Sequence, residues 1–351
     1  MSDVFSENTQ VFPENTQAFD VWASEHVEGF VGPSVAKKFA HGQSNPTYQI
    51  ETPSALYVLR RKPSGKLLKS AHMVEREFRV LKALSETGYA VPKPLALCED
   101  VSVAGTVFYL MAHVEGRIFW DPAMPGSNPA ERAAVYDQMN LALTQLQQID
   151  VAAAGLSDYG KPGSYFARQW QRWSEQYRAS ETHDIADMNR LIDWLEENVP
   201  PDDGRVSLVH GDYRIDNMIF APNEPKLLAV LDWELSTLGH PFADLAYQCM
   251  QWRMPNAGDF RGLDGVDRGA LGIPTEAEYV ALYCRRLGLP EVPHWPFLLA
   301  FSFFRLAAIV QGVYKRVLDG NASNPERGRK MGAAVPEMAR LAMAIAEGRG
   351  L

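Results

Sequence analysis

Chemistry concentrates in one polar stretch, His210-Gly211-Asp212-Tyr213-Arg214-Ile215-Asp216-Asn217, with Asp232 fifteen residues beyond Asn217. Asp212, Asn217 and Asp232 are two carboxylates and an amide. Their oxygens are hard donors that suit Mg²⁺, an ion that keeps several waters and takes one or two carboxylates plus phosphate oxygens. An aspartate that sits beside such a metal without binding it can accept a proton from a hydroxyl. Apolar runs, VSLV before the loop and LLAVL before Asp232, read as short strands flanking polar loops. A polar island of this kind inside a helical region is a usual place for function.

The elements upstream read differently. Residues 35–61 form three short strand-like runs, SVAKKFAHG, NPTYQIE and ALYVLRR, separated by Gly, Pro or Ser. A helix is predicted over 69–87, with Val74, Phe78, Leu81 and Leu84 on one face, stopped by Gly88. VPKPLALCED and AGTVFYLMAHV read as two more strands. The order β-β-β-α-β-β with short connections predicts a mostly antiparallel sheet. Before it lie a tail and a helix over about 17–29. After residue 125 helices are predicted at 129–148, 164–180, 184–198, 241–253, 274–287, 295–318 and 327–348. These divisions predict a terminal tail and helix (1–30), an N-lobe (31–115) and a C-lobe (116–351).

Composition sets the outer bounds. The chain has 351 residues, 46% apolar and 22% charged, with net charge −9. That suits a globular enzyme of two lobes and argues against a general nucleic-acid binder, which needs a basic surface. Residues 31–115 alone carry eleven bases against seven acids, enough to hold a small anion such as a nucleotide. Cys98, Cys249 and Cys284 are scattered without a CxxC, which opposes a disulfide framework or a zinc ribbon. The N-terminus has no basic and apolar leader pattern, so a reducing cytoplasm is expected. Trp295–Tyr314 is almost long enough to cross a bilayer, but Arg305 at its centre would cost ~2.5–3.5 kcal/mol there. A buried core helix, with no membrane partner, is the expectation.

His210-x-Asp212-x₄-Asn217, followed by an aspartate at a strand end, is the pattern of a kinase catalytic loop and its metal ligand. In this context the sequence resembles the aminoglycoside phosphotransferase (APH)/choline kinase-like family of small-molecule kinases. It looks closest to the kinase-like domain fused to some acyl-CoA dehydrogenases. LVHGDYRIDNMIF, AVLDWELSTLGHPFADLAY, YVLRRKP, VEREFRV and YFARQWQRW carry the resemblance, which covers about residues 30–320. It implies an α+β, protein kinase-like two-lobed fold, with ATP and Mg²⁺ as cofactors and a small-molecule hydroxyl as acceptor.

Carried over, Asp212 is the catalytic base, Asn217 and Asp232 hold Mg²⁺, His210 braces the loop, and Asp244 accepts its backbone N–H groups. Taken alone, Asp244 is also an ordinary helix-opening acid. Arg60 stands where such kinases carry a strand lysine, with Lys62 as the alternative. Glu77 borders the buried helix face and is the expected partner of Arg60; Glu75 falls on the solvent side. Gln43, Ser44 and Asn45 are the candidates to cover phosphates, although with one glycine nearby the segment also reads as a plain turn. Met111 to His113, where the last strand leaves the sheet, is the expected adenine contact.

On the acceptor side, Arg168 and Arg172 lie one helical turn apart among Trp and Tyr residues and could hold a carboxylate or phosphate; Glu234 is a third candidate. Surface ion pairs over a packed Trp are the plainer reading. Seven acids against one Arg in Asp184–Asp203 could instead hold a polycationic aminoglycoside, but their spacing reads as the wet face of an amphipathic helix. A catalytically silent nucleotide-binding module and a metal hydrolase built on His210, Asp212, Asp232 and His240 remain as alternatives.

Overall fold

The computed structural model describes residues 16–39, 45–63, 73–258, 260–320 and 324–349. Five strands, β1 (Val35–Lys38), β2 (Thr47–Glu51), β3 (Leu56–Arg61), β4 (Pro94–Cys98) and β5 (Phe108–Ala112), form an antiparallel sheet in the order β1-β2-β3-β5-β4. Tyr48 and Ile50 alternate onto one face of β2, as a two-residue period requires. That face is covered by α1 (Thr16–His26). Phe19, Ala23, Val27 and Phe30 pack with Tyr48, Ile50, Tyr57, Leu59, Phe108 and Leu110. The segment before residue 31 therefore contributes to the sheet's own core.

α2 (Val74–Glu86) covers the opposite face, burying Val80, Leu81 and Leu84 with Val58, Tyr109 and Met111. It begins at Val74, later than expected; residues 64–72 lie outside the described residues. A one-turn helix, α3 (Val101–Ala104), was not anticipated. Asp100 caps it by accepting the Ser102 N–H at 2.8 Å.

The helical part contains α4 (Pro129–Gln147), α5 (Tyr165–Ser180), α6 (Ala186–Glu197), α7 (Phe242–Cys249), α8 (Arg268–Leu271), α9 (Glu276–Leu287), α10 (Trp295–Leu318), α11 (Pro325–Gly332) and α12 (Val335–Ala346). α10 is the central element, packed against α5, α6, α7, α11 and α12. It is long and apolar enough to cross a membrane, yet 78% of its most apolar window is buried within the protein. A helix apolar all round belongs in such a core. The single helix expected at 327–348 is two. Gly332 packs on Tyr314, where a Cβ would come within 2.4 Å of the ring, and Pro336 opens α12 without an N–H to continue α11. Likewise α7 stops at Cys249 and tightens into a 3-10 turn over Met250–Trp252.

The polar island folds as two small antiparallel pairs. β6 (Ser207–Val209) pairs with β9 (Thr237–Gly239), and β7 (Met218–Phe220) pairs with β8 (Leu227–Val230). β7 and β9 are three residues each, too short to show a periodicity in sequence.

If α1 belongs to the sheet's core, Phe19→Ala should cost about 3–5 kcal/mol, the usual penalty for emptying an aromatic core site. Urea denaturation of the whole chain checks this. A loss below about 1 kcal/mol would show α1 to be a loosely attached tail.

Candidate active site

The loop after β6 is held by its backbone. Gly211 has φ +87, and a Cβ there would meet the Leu235 carbonyl oxygen at 2.7 Å, so glycine is required. Asp244, in the first turn of α7 and 1% exposed, accepts the N–H of His210 at 2.7 Å and of Gly211 at 2.9 Å. Burial pushes its carboxyl above the ordinary aspartate value despite those bonds. His210 is fully buried. Its Nε2 lies 2.8 Å from the Leu231 carbonyl, and its Nδ1 accepts the Asp212 N–H at 3.1 Å. A carbonyl can only accept and an N–H can only donate, so the ring carries its proton on Nε2. One imidazole thus ties the loop holding Asp212 to the strand end that precedes Asp232.

Asp212 is bracketed by donors. Arg214 Nε reaches Oδ1 at 3.0 Å, Asn217 Nδ2 reaches Oδ2 at 2.9 Å, and the Tyr247 hydroxyl also hydrogen-bonds it. Burial would raise its pKa, but Arg214 and these hydrogen bonds prevail and hold it below the usual aspartate value. Asn217 spends its amide nitrogen on Asp212, on the carboxylate and on the backbone carbonyl at 2.8 Å. Its side-chain oxygen could therefore serve a cation. The Leu231 N–H donates to the Asn217 carbonyl at 2.8 Å, which sets Asp232 beside the loop. Asp232 itself is left-handed, φ 64 and ψ 65. A non-glycine residue held there stores backbone strain, of the kind found where geometry serves function.

Across from this loop stands Arg60 on β3. Its side chain is 12% exposed and meets three carboxylates: Glu77 at 3.0 Å, Asp232 at 2.6 Å and Glu234 at 3.1 Å. Asn45 Nδ2 also reaches Glu234, at 3.2 Å. Glu77 is 2% exposed, and burial drives its carboxyl upward, with Arg60 pulling it back. Lys62 pairs separately with Glu75.

Glu234 therefore joins the Arg60 cluster, on the side expected for nucleotide, and not a separate acceptor site. Arg168 is spent on the Lys161 and Pro162 carbonyls, closing the loop before α5. Arg172 stands over Trp173, 5.1 Å from its ring, and makes no ion pair among the described residues. Met111 lies within β5 and His113 just beyond it, where the chain leaves the sheet; burial lowers the His113 pKa. Gln43 and Ser44 lie outside the described residues. His240 hydrogen-bonds Asp203 and the Phe242 N–H. With both nitrogens of each imidazole engaged, His210 and His240 do not form the metal centre a hydrolase needs.

Three residues at the site were missed. Arg214 and Asp216 lie inside the motif and pair at 3.2 Å; Asp216 Oδ1 is buried with no hydrogen-bond partner. Burial pushes the Asp216 carboxyl up, only partly offset by Arg214. Tyr247 was signalled by its position three residues after Asp244, on the same face of α7.

Asp244→Asn puts an amide N–H₂ against a backbone N–H. It should cost about 1–3 kcal/mol and remove hydrogen-exchange protection from the His210 or Gly211 amide. Unchanged stability and protection would mean that Asp244 is only a helix-opening acid.

The Phosphotransferase enzyme family (APH) profile matches residues 35–282. Mouse acyl-CoA dehydrogenase family member 10 is 50% identical over 320 residues, covering 91% of this chain and 30% of its own length. The chain thus spans less than a third of that relative. A Ralstonia eutropha protein, provisionally classed as an aminoglycoside phosphotransferase, superimposes with a TM-score of 0.86 at 49% identity, covering 96% of this chain and 99% of the other. Spectinomycin phosphotransferase, solved with ADP and spectinomycin, shares the fold at a TM-score of 0.61 and 13% identity, covering 94% and 98%. The antiparallel sheet lobe, the helical lobe and these likenesses agree: the chain belongs to the APH phosphotransferase enzyme family and has its protein kinase-like fold.

Proposed function

We propose that the protein transfers the γ-phosphate of ATP, with Mg²⁺, to a hydroxyl of a small molecule, a hydroxylated anionic or acyl metabolite. The carrying observation is that hydrogen bonds bring together a hydrogen-bonded Asp212 held below the usual aspartate pKa, an Asn217 that bonds it through its amide nitrogen, and the strand end that carries a left-handed Asp232. The donor set suits Mg²⁺: Asn217 and Asp232 would hold it, and the orphaned Asp216 oxygen lies in the same loop. Arg60 against Glu77, Asp232 and Glu234 leaves two surplus negative charges if all three are ionised, which a divalent cation would neutralise. Held there, Mg²⁺ would supply charge neutralisation.

The chain's own residues do the rest. Asp212 accepts the acceptor's hydroxyl proton, and its low pKa keeps it ready to do so near neutrality. Arg214 and Asn217 fix the direction of its lone pairs. Arg60, anchored by Glu77, offers its guanidinium to the phosphates, and Asn45 closes the sheet lobe onto Glu234. Catalysis is then mainly positioning and charge compensation.

The relatives that share this domain are acyl-CoA dehydrogenase family members, which favours an anionic or acyl acceptor. An aminoglycoside acceptor has less support. The acids of the 184–203 segment lie largely on exposed surface, while Met188, Leu191 and Leu195 are buried. The test is ATP consumption with a panel of hydroxy acids, hydroxyacyl thioesters and aminoglycosides. A hydroxy acid or thioester should be phosphorylated, and Asp212→Asn should lower its turnover by ~10²–10⁴-fold while nucleotide still binds. Efficient phosphorylation of aminoglycosides alone would overturn the acceptor assignment. Undiminished turnover in Asp212→Asn would overturn the mechanism.

A further inference from the structure

Arg305 is a buried cation in direct contact with no carboxylate among the described residues. It sits midway along α10 and is 7% exposed. Among the described residues its guanidinium makes no ion pair and no hydrogen bond. Two aromatic rings flank it, Tyr247 at 5.3 Å and Trp173 at 5.6 Å. Arg172 stands over the same Trp173 ring at 5.1 Å, so two guanidiniums share one indole. They repel: desolvation and the charge of Arg305 hold the Arg172 pKa below its ordinary value. Asp244 feels the field of Arg305 but spends its oxygens on the His210 and Gly211 N–H groups.

Burying a charge without a direct partner carries a standing desolvation penalty. Cation–π contacts with two rings offset part of it. Catalysis supplies a reason, because the Tyr247 ring under Arg305 belongs to the hydroxyl that hydrogen-bonds Asp212. Arg305, over the ring, and Asp212, at the hydroxyl, thus contact one tyrosine and lie no more than about one side chain apart. A small molecule can span that gap with a hydroxyl at one end and an anionic group at the other.

We infer that Arg305, assisted by Arg172, is the anion-reading subsite of the acceptor pocket, holding a carboxylate or phosphate of the molecule whose hydroxyl meets Asp212. This rests on the phosphotransfer reading above and adds the residues that select the acceptor. Arg305 is the deep contact and Arg172 the outer one. Guanidiniums suit both anions because they bind each bidentately.

The test uses the full chain with two probes, sodium butyrate and inorganic phosphate, followed by thermal shift and tryptophan fluorescence. At least one anion should raise the wild-type melting temperature and perturb the Trp signal. Butyrate alone identifies a carboxylate site, phosphate alone a phosphoryl site. Arg305→Met should weaken that binding at least tenfold, Arg172→Gln a few-fold, and Arg305→Lys should restore part of it. The Mg²⁺-dependent ATP shift should persist in all three. Without anion, Arg305→Met should melt no lower than wild type, since an unpaired buried charge has been removed; a merely structural arginine would lower it. No response of wild type to either anion, or equal responses in wild type and Arg305→Met, overturns the inference. If Arg305→Met does not fold, unchanged anion affinity in Arg172→Gln overturns it. An anion response in wild type without an ATP response would sink the phosphotransfer reading and leave the subsite standing.

Discussion

The site depends on one buried guanidinium. Arg60 leaves the sheet at β3 and meets a carboxylate from α2 and two from the segment after β8. Breaking such a buried pair from one side typically costs 3–5 kcal/mol, because the other charges stay behind unpaired. The same contacts join the sheet lobe to the catalytic loop. Asn45 to Glu234, the Val230 N–H to the Ala90 carbonyl at 2.8 Å, and Arg76 to the Ser236 carbonyl at 3.2 Å reinforce that join. The excess of negative charge around Arg60 makes the cluster incomplete as a purely structural ion pair. It is suited to receiving a further cation together with phosphate.

Around that hub, backbone groups do the positioning. Asp244 fixes two consecutive amides, His210 joins a loop to a strand end, and Asn217 accepts from Leu231 through its carbonyl. Few of these bonds involve a residue that would touch substrate. They hold Asp212, Asn217 and Asp232 in one geometry without spending the oxygens that matter, and they sustain the left-handed backbone at Asp232. The surroundings of Arg305 follow another rule: two aromatic rings and, among the described residues, no direct ion pair or hydrogen bond to its guanidinium.

Much of this was legible before any coordinates. The spacing of His210, Asp212, Asn217 and Asp232 marked the loop, and the position of Glu77 at the margin of an apolar helix face separated it from Glu75. The sheet was legible because its strands, four to six residues long, are rich in β-branched and aromatic residues and bounded by Gly, Pro or Ser. What escaped had physical causes. β7 and β9 are too short to carry a period. The break between α11 and α12 depends on Gly332 fitting against a distant ring. Glu234 reads as an acceptor contact until Arg60, far away in sequence, is brought beside it. Arg168 and Arg172 share a helix face, yet loop carbonyls ahead of α5 claim only the first. Arg305 was visible as a lone cation in an apolar helix and served only to exclude a membrane span. Its lack of a counterion is a property of the packing.

The central claim is that Arg60, Asp232 and Asn217 frame a site for nucleotide phosphates with a divalent cation. The most direct measurement is a thermal-shift titration with ADP, with and without Mg²⁺, on wild type and Asp232→Ala. A ligand that binds only the native state raises its melting temperature by mass action. The account predicts a shift that requires Mg²⁺ in wild type and is lost in Asp232→Ala. No shift at millimolar ADP, or an equal shift in both proteins, would contradict it.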